Sequence, residues 1–312
     1  MFKRLMPITI SLLLTASAWA QKNKMNLYIW SEYIDPKIIQ NFEKEFDCKV
    51  TVDLYEDNES MMAKLEGGGD SLYDVCVPSD YIIPALIKNG LLAPLRKENI
   101  PNMKNMDPKF ASREYDPGNK FTAPYQWGTV GLYVHRKPSE TIDETWGLIF
   151  DPKKQMKEAR DILIEAKKRS MGFEGGVGIK NKVLAKVCKV GMVYNGDAVR
   201  GMKEDPSTYF FVPREGTEIW LDNMAIPAKA PHRDMAEKFL NYILDAKVGA
   251  QLSNFNQYAT PNLAAREFIT PADLKNIAIY PSEEQLKVLE PVKDLGSKTG
   301  WYDELWTGIK SK

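Results

Sequence analysis

The run Asn26-Leu27-Tyr28-Ile29-Trp30-Ser31-Glu32-Tyr33, followed by Pro36 and then by Cys48 to Tyr55, decides the fold class. The first five residues are a β-rich stretch. Pro36 suits the first turn of a helix, and Ile38, Ile39, Phe42 and Phe46 recur at helical spacing behind it. Cys48 to Tyr55 reads as a second strand. A second helix is expected from an Asn58 cap through Met61, Met62 and Leu65 to Gly67-Gly68-Gly69. Val75 to Val77 then predicts a third strand and Tyr81 to Asn89 a third helix. Strands alternating with helices at this spacing predict an α/β chain with a parallel sheet covered on both faces.

Further along, Pro124 to Val134 reads as extended chain. Gln155 to Ser170 reads as an amphipathic helix with Met156, Ala159, Ile162, Leu163 and Ala166 on one face. Gly172 to Gly178 holds four glycines without the Gly-Lys-Ser/Thr ending of a phosphate loop, so a surface loop is expected there. Val187 to Tyr194 and Thr217 to Ile226 predict strands. Met235, Phe239, Leu240, Ile243 and Leu244 mark a helix, and another is expected from Trp301.

Composition narrows the function classes. The 312 residues are 44% hydrophobic and 27% charged, which suits a globular chain of one large or two ordinary domains. Basic and acidic residues number 42 each, so the basic excess of a nucleic-acid-binding surface is missing. Met1-Phe2-Lys3-Arg4, the apolar Leu5 to Ala16 and the Ala18-Trp19-Ala20 motif read as a cleaved export signal over residues 1–20. No later stretch is long and apolar enough to span a bilayer, so no membrane insertion is expected. Cys48, Cys76 and Cys188 are too few for a disulfide scaffold and too scattered for zinc, and are read as free thiols. His135 and His232 are the only histidines. Neither neighbours a cysteine in sequence, which leaves little for a Cys-dependent enzyme.

In an α/β sheet, ligands bind beyond the carboxyl ends of the strands. Trp30-Ser31-Glu32-Tyr33, Pro78-Ser79-Asp80-Tyr81, Tyr194-Asn195-Gly196-Asp197, Trp220-Leu221-Asp222 and Gln257-Tyr258 stand at such positions. Each sets an aromatic ring beside a carboxylate, hydroxyl or amide. An aromatic face attracts an ammonium group by about 2 kcal/mol when water is excluded. A carboxylate adds a charge-assisted hydrogen bond. A cleft of such pairs fits a flexible polycation with an apolar stem, whereas core aromatics and helix-capping acids would give the same pattern singly.

The chain resembles the spermidine/putrescine-binding proteins of bacterial polyamine ABC importers. Tyr28 to Ile34, Tyr55 to Glu59, Tyr73 to Ser79, Pro124 to Thr129, Trp220 to Pro227 and Thr260 to Ala265 carry the resemblance. It implies a bilobal periplasmic-binding-protein (type II) fold with a hinge. Lobe 1 would be residues 21–130 and 246–312, and lobe 2 would be 131–245. The resemblance implies ligand contacts from Trp30, Ser31, Glu32, Tyr33, Ser79, Tyr81, Tyr194, Trp220, Asp222 and Tyr258, and a hinge or core role for Trp127. It implies a monomeric, periplasmic, non-enzymatic receptor with no cofactor or metal, which delivers a polyamine to an inner-membrane ABC permease. Other ligands on the same scaffold would be ferric iron or a sugar. One departure is expected: a strand and helix of lobe 2 are missing near 150–156. Their loss would expose sheet edge, remove acidic contacts and weaken polyamine binding.

Overall fold

A computed structural model describes residues 23–149, 159–293 and 299–311. The expected signal peptide and Met156 lie outside the described residues. The elements in chain order are β1 (Asn23–Trp30), α1 (Pro36–Glu45), β2 (Cys48–Tyr55), α2 (Asn58–Glu66), β3 (Val75–Cys76), α3 (Ile83–Lys88), β4 (Thr122–His135) and α4 (Ala159–Lys167). There follow α5 (Gly176–Leu184), β5 (Val190–Tyr194), α6 (Asn195–Glu204), β6 (Thr208–Phe211), β7 (Thr217–Ala225), α7 (Arg233–Ile243) and α8 (Ala246–Asn256). Last come α9 (Pro271–Leu274), α10 (Glu283–Leu286), β8 (Leu289–Pro291) and α11 (Thr299–Lys310).

The opening βαβ unit forms for the reasons its sequence gives. On β1, Met25, Leu27 and Ile29 point to one core, while Tyr28 points to the other and stacks on Tyr73 with ring centroids 4.3 Å apart. Asp35 caps α1 by accepting from the Lys37 amide at 2.9 Å, and Pro36 supplies its first turn. Ile38 and Phe42 are buried beneath it. At α2 the cap is Asp57 rather than Asn58: Asp57 Oδ1 accepts from the Ser60 amide at 2.6 Å. Asn58 is instead buried, and its Oδ1 accepts from the Ser79 amide at 3.2 Å. The third helix begins as a 3-10 turn over Asp80–Ile82 before α3.

The sheet is mixed rather than parallel. Its order is β2-β1-β3-β7-β4-β5, with β6 also on β4 and β8 on β7. β1 pairs in parallel with β2 and β3, but β7 runs antiparallel to both β3 and β4. The fourteen-residue β4 explains this. Its first part, Thr122 to Thr129, pairs with β7, and its second, Val130 to His135, pairs with β5 and β6. Two long strands thus join the halves of a bilobal α/β fold. One core gathers Met25, Leu27, Phe42, Met235 and Phe239, so α7 packs with β1. Another gathers Tyr133, Val183, Val193, Val199 and Phe210. Trp127 is buried in that second core, stacked on Phe110 at 5.3 Å.

Two local expectations change. The glycine-rich stretch is no simple loop: Gly175 is the N-cap of α5, and Gly176 opens the helix. Gly191 lies under α5, where an added Cβ would stand 2.2 Å from the Ile179 side chain, so glycine permits the close helix–strand approach. Cys188 precedes β5 in a half-buried turn, whereas Cys48 and Cys76 are buried within strands, and none of the three is in a disulfide among the described residues. At the end of the sheet, β5 pairs only with β4 among the described residues, and Met192 and Tyr194 are 49% and 39% exposed.

Candidate functional site

The carboxyl ends of β1, β2, β3 and β5 and the middle of β7 converge on a cleft of about 430 Å³. All ten residues singled out above line it: Trp30, Ser31, Glu32, Tyr33, Ser79, Tyr81, Tyr194, Trp220, Asp222 and Tyr258. Sequence reading left Glu56, Asp57, Glu174 and Glu218 out of the site, and they line it too, as does Asp197, which stood in a strand-end run without being given a ligand role. None of the described lining residues is Lys, Arg or His.

Asp222 forms the floor. It is 6% exposed and accepts from the Ser79 hydroxyl at 2.6 Å and the Tyr33 hydroxyl at 2.7 Å. No cation pairs with it among the described residues. Burial pushes its carboxyl up to about 7 against the pull of the two hydroxyls, and Asp80 and Glu218 add to the rise. Asp80 is likewise raised to about 7, chiefly by burial. Glu218 is raised by burial alone. A buried carboxylate held only by hydroxyls gains strongly from a cation docked beside it.

The sign of the stability effect follows. The native chain keeps protons on Asp222 and Asp80 that the unfolded chain has released by about pH 4. The two groups therefore make the unliganded protein less stable as pH rises from about 4 to about 7. Urea unfolding across that window should show this loss for the wild type, and a smaller loss for Asp222→Asn.

Aromatic rings wall the floor in. Trp220 meets Tyr258 edge-on at 5.2 Å and Tyr194 at 5.9 Å. Tyr33 meets Tyr258 at 5.4 Å and Tyr125 at 5.2 Å. The Trp30 ring lies 4.7 Å from Tyr55, and both donate to the Val77 carbonyl, at 2.9 and 2.5 Å. Tyr81 donates to Glu59 at 3.0 Å. Two glycines make room. A Cβ at Gly128 would stand 2.5 Å from the Trp220 ring, and one at Gly196 would stand 2.6 Å from the Tyr258 ring. Gly196→Ala should therefore cost about 1–3 kcal/mol by displacing Tyr258. Thermal unfolding checks this, and a midpoint equal to wild type would contradict the packing argument.

The acids divide into two groups. Glu32 pairs with Arg200 at 2.9 Å and faces Lys180 at 3.6 Å. Asp197 pairs with Arg200 at 2.5 Å, and Glu174 pairs with Lys182. Glu218 and Asp222 have no such partner among the described residues. Glu56 accepts from the Ser31 hydroxyl at 3.4 Å. The arrangement offers a deep anionic point, aromatic walls and a second acidic region at the mouth.

A fold of two α/β halves around such a cleft defines a solute receptor, and the chain belongs to the bacterial extracellular solute-binding protein family, whose profile matches residues 28–250. That is a family of binding proteins, not of enzymes. The chain is 28% identical to the spermidine/putrescine-binding periplasmic protein of Escherichia coli strain K12, over 97% of this chain and 96% of that one. It is 29% identical to a putrescine/cadaverine-binding protein of Pseudomonas aeruginosa, over 99% of each. Among solved structures it resembles a putative spermidine/putrescine ABC transporter from Listeria monocytogenes, with a TM-score of 0.85 and 31% identity over 92% of this chain and 99% of that one. The alignment with the Escherichia coli protein runs over 334 positions and takes in 97% of 312 residues, so about 30 positions are gaps in this chain.

Proposed function

We propose that this protein captures a polyamine between its lobes and hands it to an ABC permease of the inner membrane. The observation that carries the reading is Asp222: buried, hydrogen-bonded by Tyr33 and Ser79, without a paired cation among the described residues, and surrounded by aromatic rings. One ammonium group docks on Asp222. The methylene stem lies along Trp30, Tyr81, Tyr194, Trp220 and Tyr258, whose faces suit both CH₂ groups and protonated nitrogen. Nine of those ten residues are the proposed ligand contacts, with Glu218 added beside Asp222, while Glu32 lines the cleft in its pairing with Arg200.

The receptor acts without catalysis, as a monomer, after export and cleavage behind Ala20. No helix among the described residues is long and apolar enough to cross a membrane. We take lobe 1 to be residues 21–130 together with the returning chain. The packing of α7 against β1 supports a return within β7 rather than at 246. Ferric iron fits less well. The Tyr33 hydroxyl is engaged in donating to Asp222, and no group of three His, Cys, Asp or Glu converges as a metal site among the described residues.

Thermal unfolding with putrescine, cadaverine, spermidine, ferric citrate and glucose tests the reading. A ligand at a hundred times its Kd stabilises the native state by about 2.7 kcal/mol. At least one polyamine should raise the midpoint by several degrees, and the iron and sugar samples should not. No shift with any polyamine would refute it.

A further inference from the structure

We infer that Arg200, aided by Lys180, is a closing latch: it holds the Glu32 carboxylate and so ties the first lobe to the second, leaving Glu32 unavailable to the ligand. Glu32 follows β1, whereas Lys180 lies on α5 and Arg200 on α6. The Arg200 guanidinium reaches the Glu32 carboxylate at 2.9 Å and donates to the Glu32 carbonyl at 3.3 Å. It thus grips both the side chain and the backbone of one residue. Lys180 approaches the same carboxylate at 3.6 Å, and its side chain is only 7% exposed. A lysine so buried in this position needs an anion nearby, and Glu32 is the one it faces across the lobes.

The latch is pre-set on both sides. Asp197, one turn before Arg200 on α6, pairs with the guanidinium at 2.5 Å and aims it. Glu32 adopts φ +52°, a left-handed backbone conformation that a glutamate rarely takes. That strain persists only where the surroundings hold it, and the grip of Arg200 on carbonyl and carboxylate does so. A parallel contact sits at the end of β2. A Cβ added at Gly175, the N-cap of α5, would stand 3.6 Å from Glu56 Oε2. An acid beside a helix N-terminus is a favourable pairing. Glu32 also lies on the wall between the cleft and a neighbouring groove that Lys180 and Arg200 line, so opening the latch would open that wall.

Two variants separate the outcomes. Glu32→Gln removes the carboxylate of the latch and leaves the Asp197–Arg200 pair intact; Arg200→Met removes the latch from the other side. The first readout is small-angle X-ray scattering of the unliganded protein. It needs no ligand and so stands apart from the polyamine reading, on which only the second readout rests. The wild type should be compact at low salt and expand in about 1 M sodium chloride, where charges are screened within about 3 Å. Both variants should be expanded at low salt and indifferent to added salt. The second readout is the release of spermidine by stopped flow, which should be roughly three- to tenfold faster in both variants. Unchanged scattering in both variants would overturn the latch. So would tighter spermidine binding by Arg200→Met, because Glu32 would then be a ligand carboxylate that Arg200 masks.

Discussion

Asp222→Asn is expected to weaken polyamine binding at least a hundredfold, with no loss of stability in the unliganded protein at pH 8. The two halves of that expectation have one cause. Without a ligand the ionised carboxylate is buried and, among the described residues, hydrogen-bonded by the Tyr33 and Ser79 hydroxyls alone. Its rise from 3.8 to about 7 corresponds to roughly 4 kcal/mol of penalty on the charged form in the fold. Asparagine keeps the shape, accepts from one hydroxyl and donates to the other, and removes the penalty. When an ammonium group is present the balance reverses. Removing one partner of a buried charge pair leaves the other uncompensated, which costs about 3–5 kcal/mol. Isothermal titration and urea unfolding measure the two effects. A variant that still binds within tenfold of wild type would remove Asp222 from the ligand, and one that unfolds much more easily would make the residue structural.

Trp220→Ala is expected to have the largest combined effect. The indole is 6% exposed and packs edge-on against Tyr194 and Tyr258, with Gly128 opposite. Truncating a buried Trp costs about 3–5 kcal/mol. The same change removes an aromatic face worth about 2 kcal/mol to a desolvated ammonium, or roughly thirtyfold in affinity. Trp220→Phe separates the roles, since it restores most of the packing and part of the cage. Thermal unfolding should recover substantially in the Phe variant, with affinity intermediate between wild type and Ala. Affinity in Ala within threefold of wild type would leave Trp220 a core residue alone.

Much of this site is legible in the sequence because strand ends are legible. Trp30 to Tyr33, Ser79 to Tyr81 and Tyr194 each follow or end an apolar run, and an α/β sheet brings such positions together. Glu218 was within reach: it is two residues before Trp220 and four before Asp222, and a strand places alternate side chains on one face. Glu56 and Asp57 stand just past β2 and carried the same signal. Glu174 was hidden because its glycine-rich surroundings read as a loop, whereas packing against β5 makes α5 a helix. Strand direction was not legible either. A run such as Thr217 to Ala225 has the same pattern either way, and pairing with the long β4 decides that β7 runs antiparallel. The Arg200 contact with the Glu32 backbone joins residues 168 positions apart, and nothing local announces it.

On the polyamine reading, an ammonium group replaces a proton at Asp222. At pH 7 a carboxyl titrating near 7 is about half protonated in the empty cleft. A docked cation lowers that value and expels the proton. Calorimetric titration with spermidine and putrescine at pH 7, repeated in two buffers of different ionisation enthalpy, measures the proton count directly. Saturable binding with release of roughly half a proton at pH 7, and less at pH 8 where both amines still carry most of their protons, is the predicted result. Proton uptake, or no binding of either amine by the wild-type protein, would contradict it.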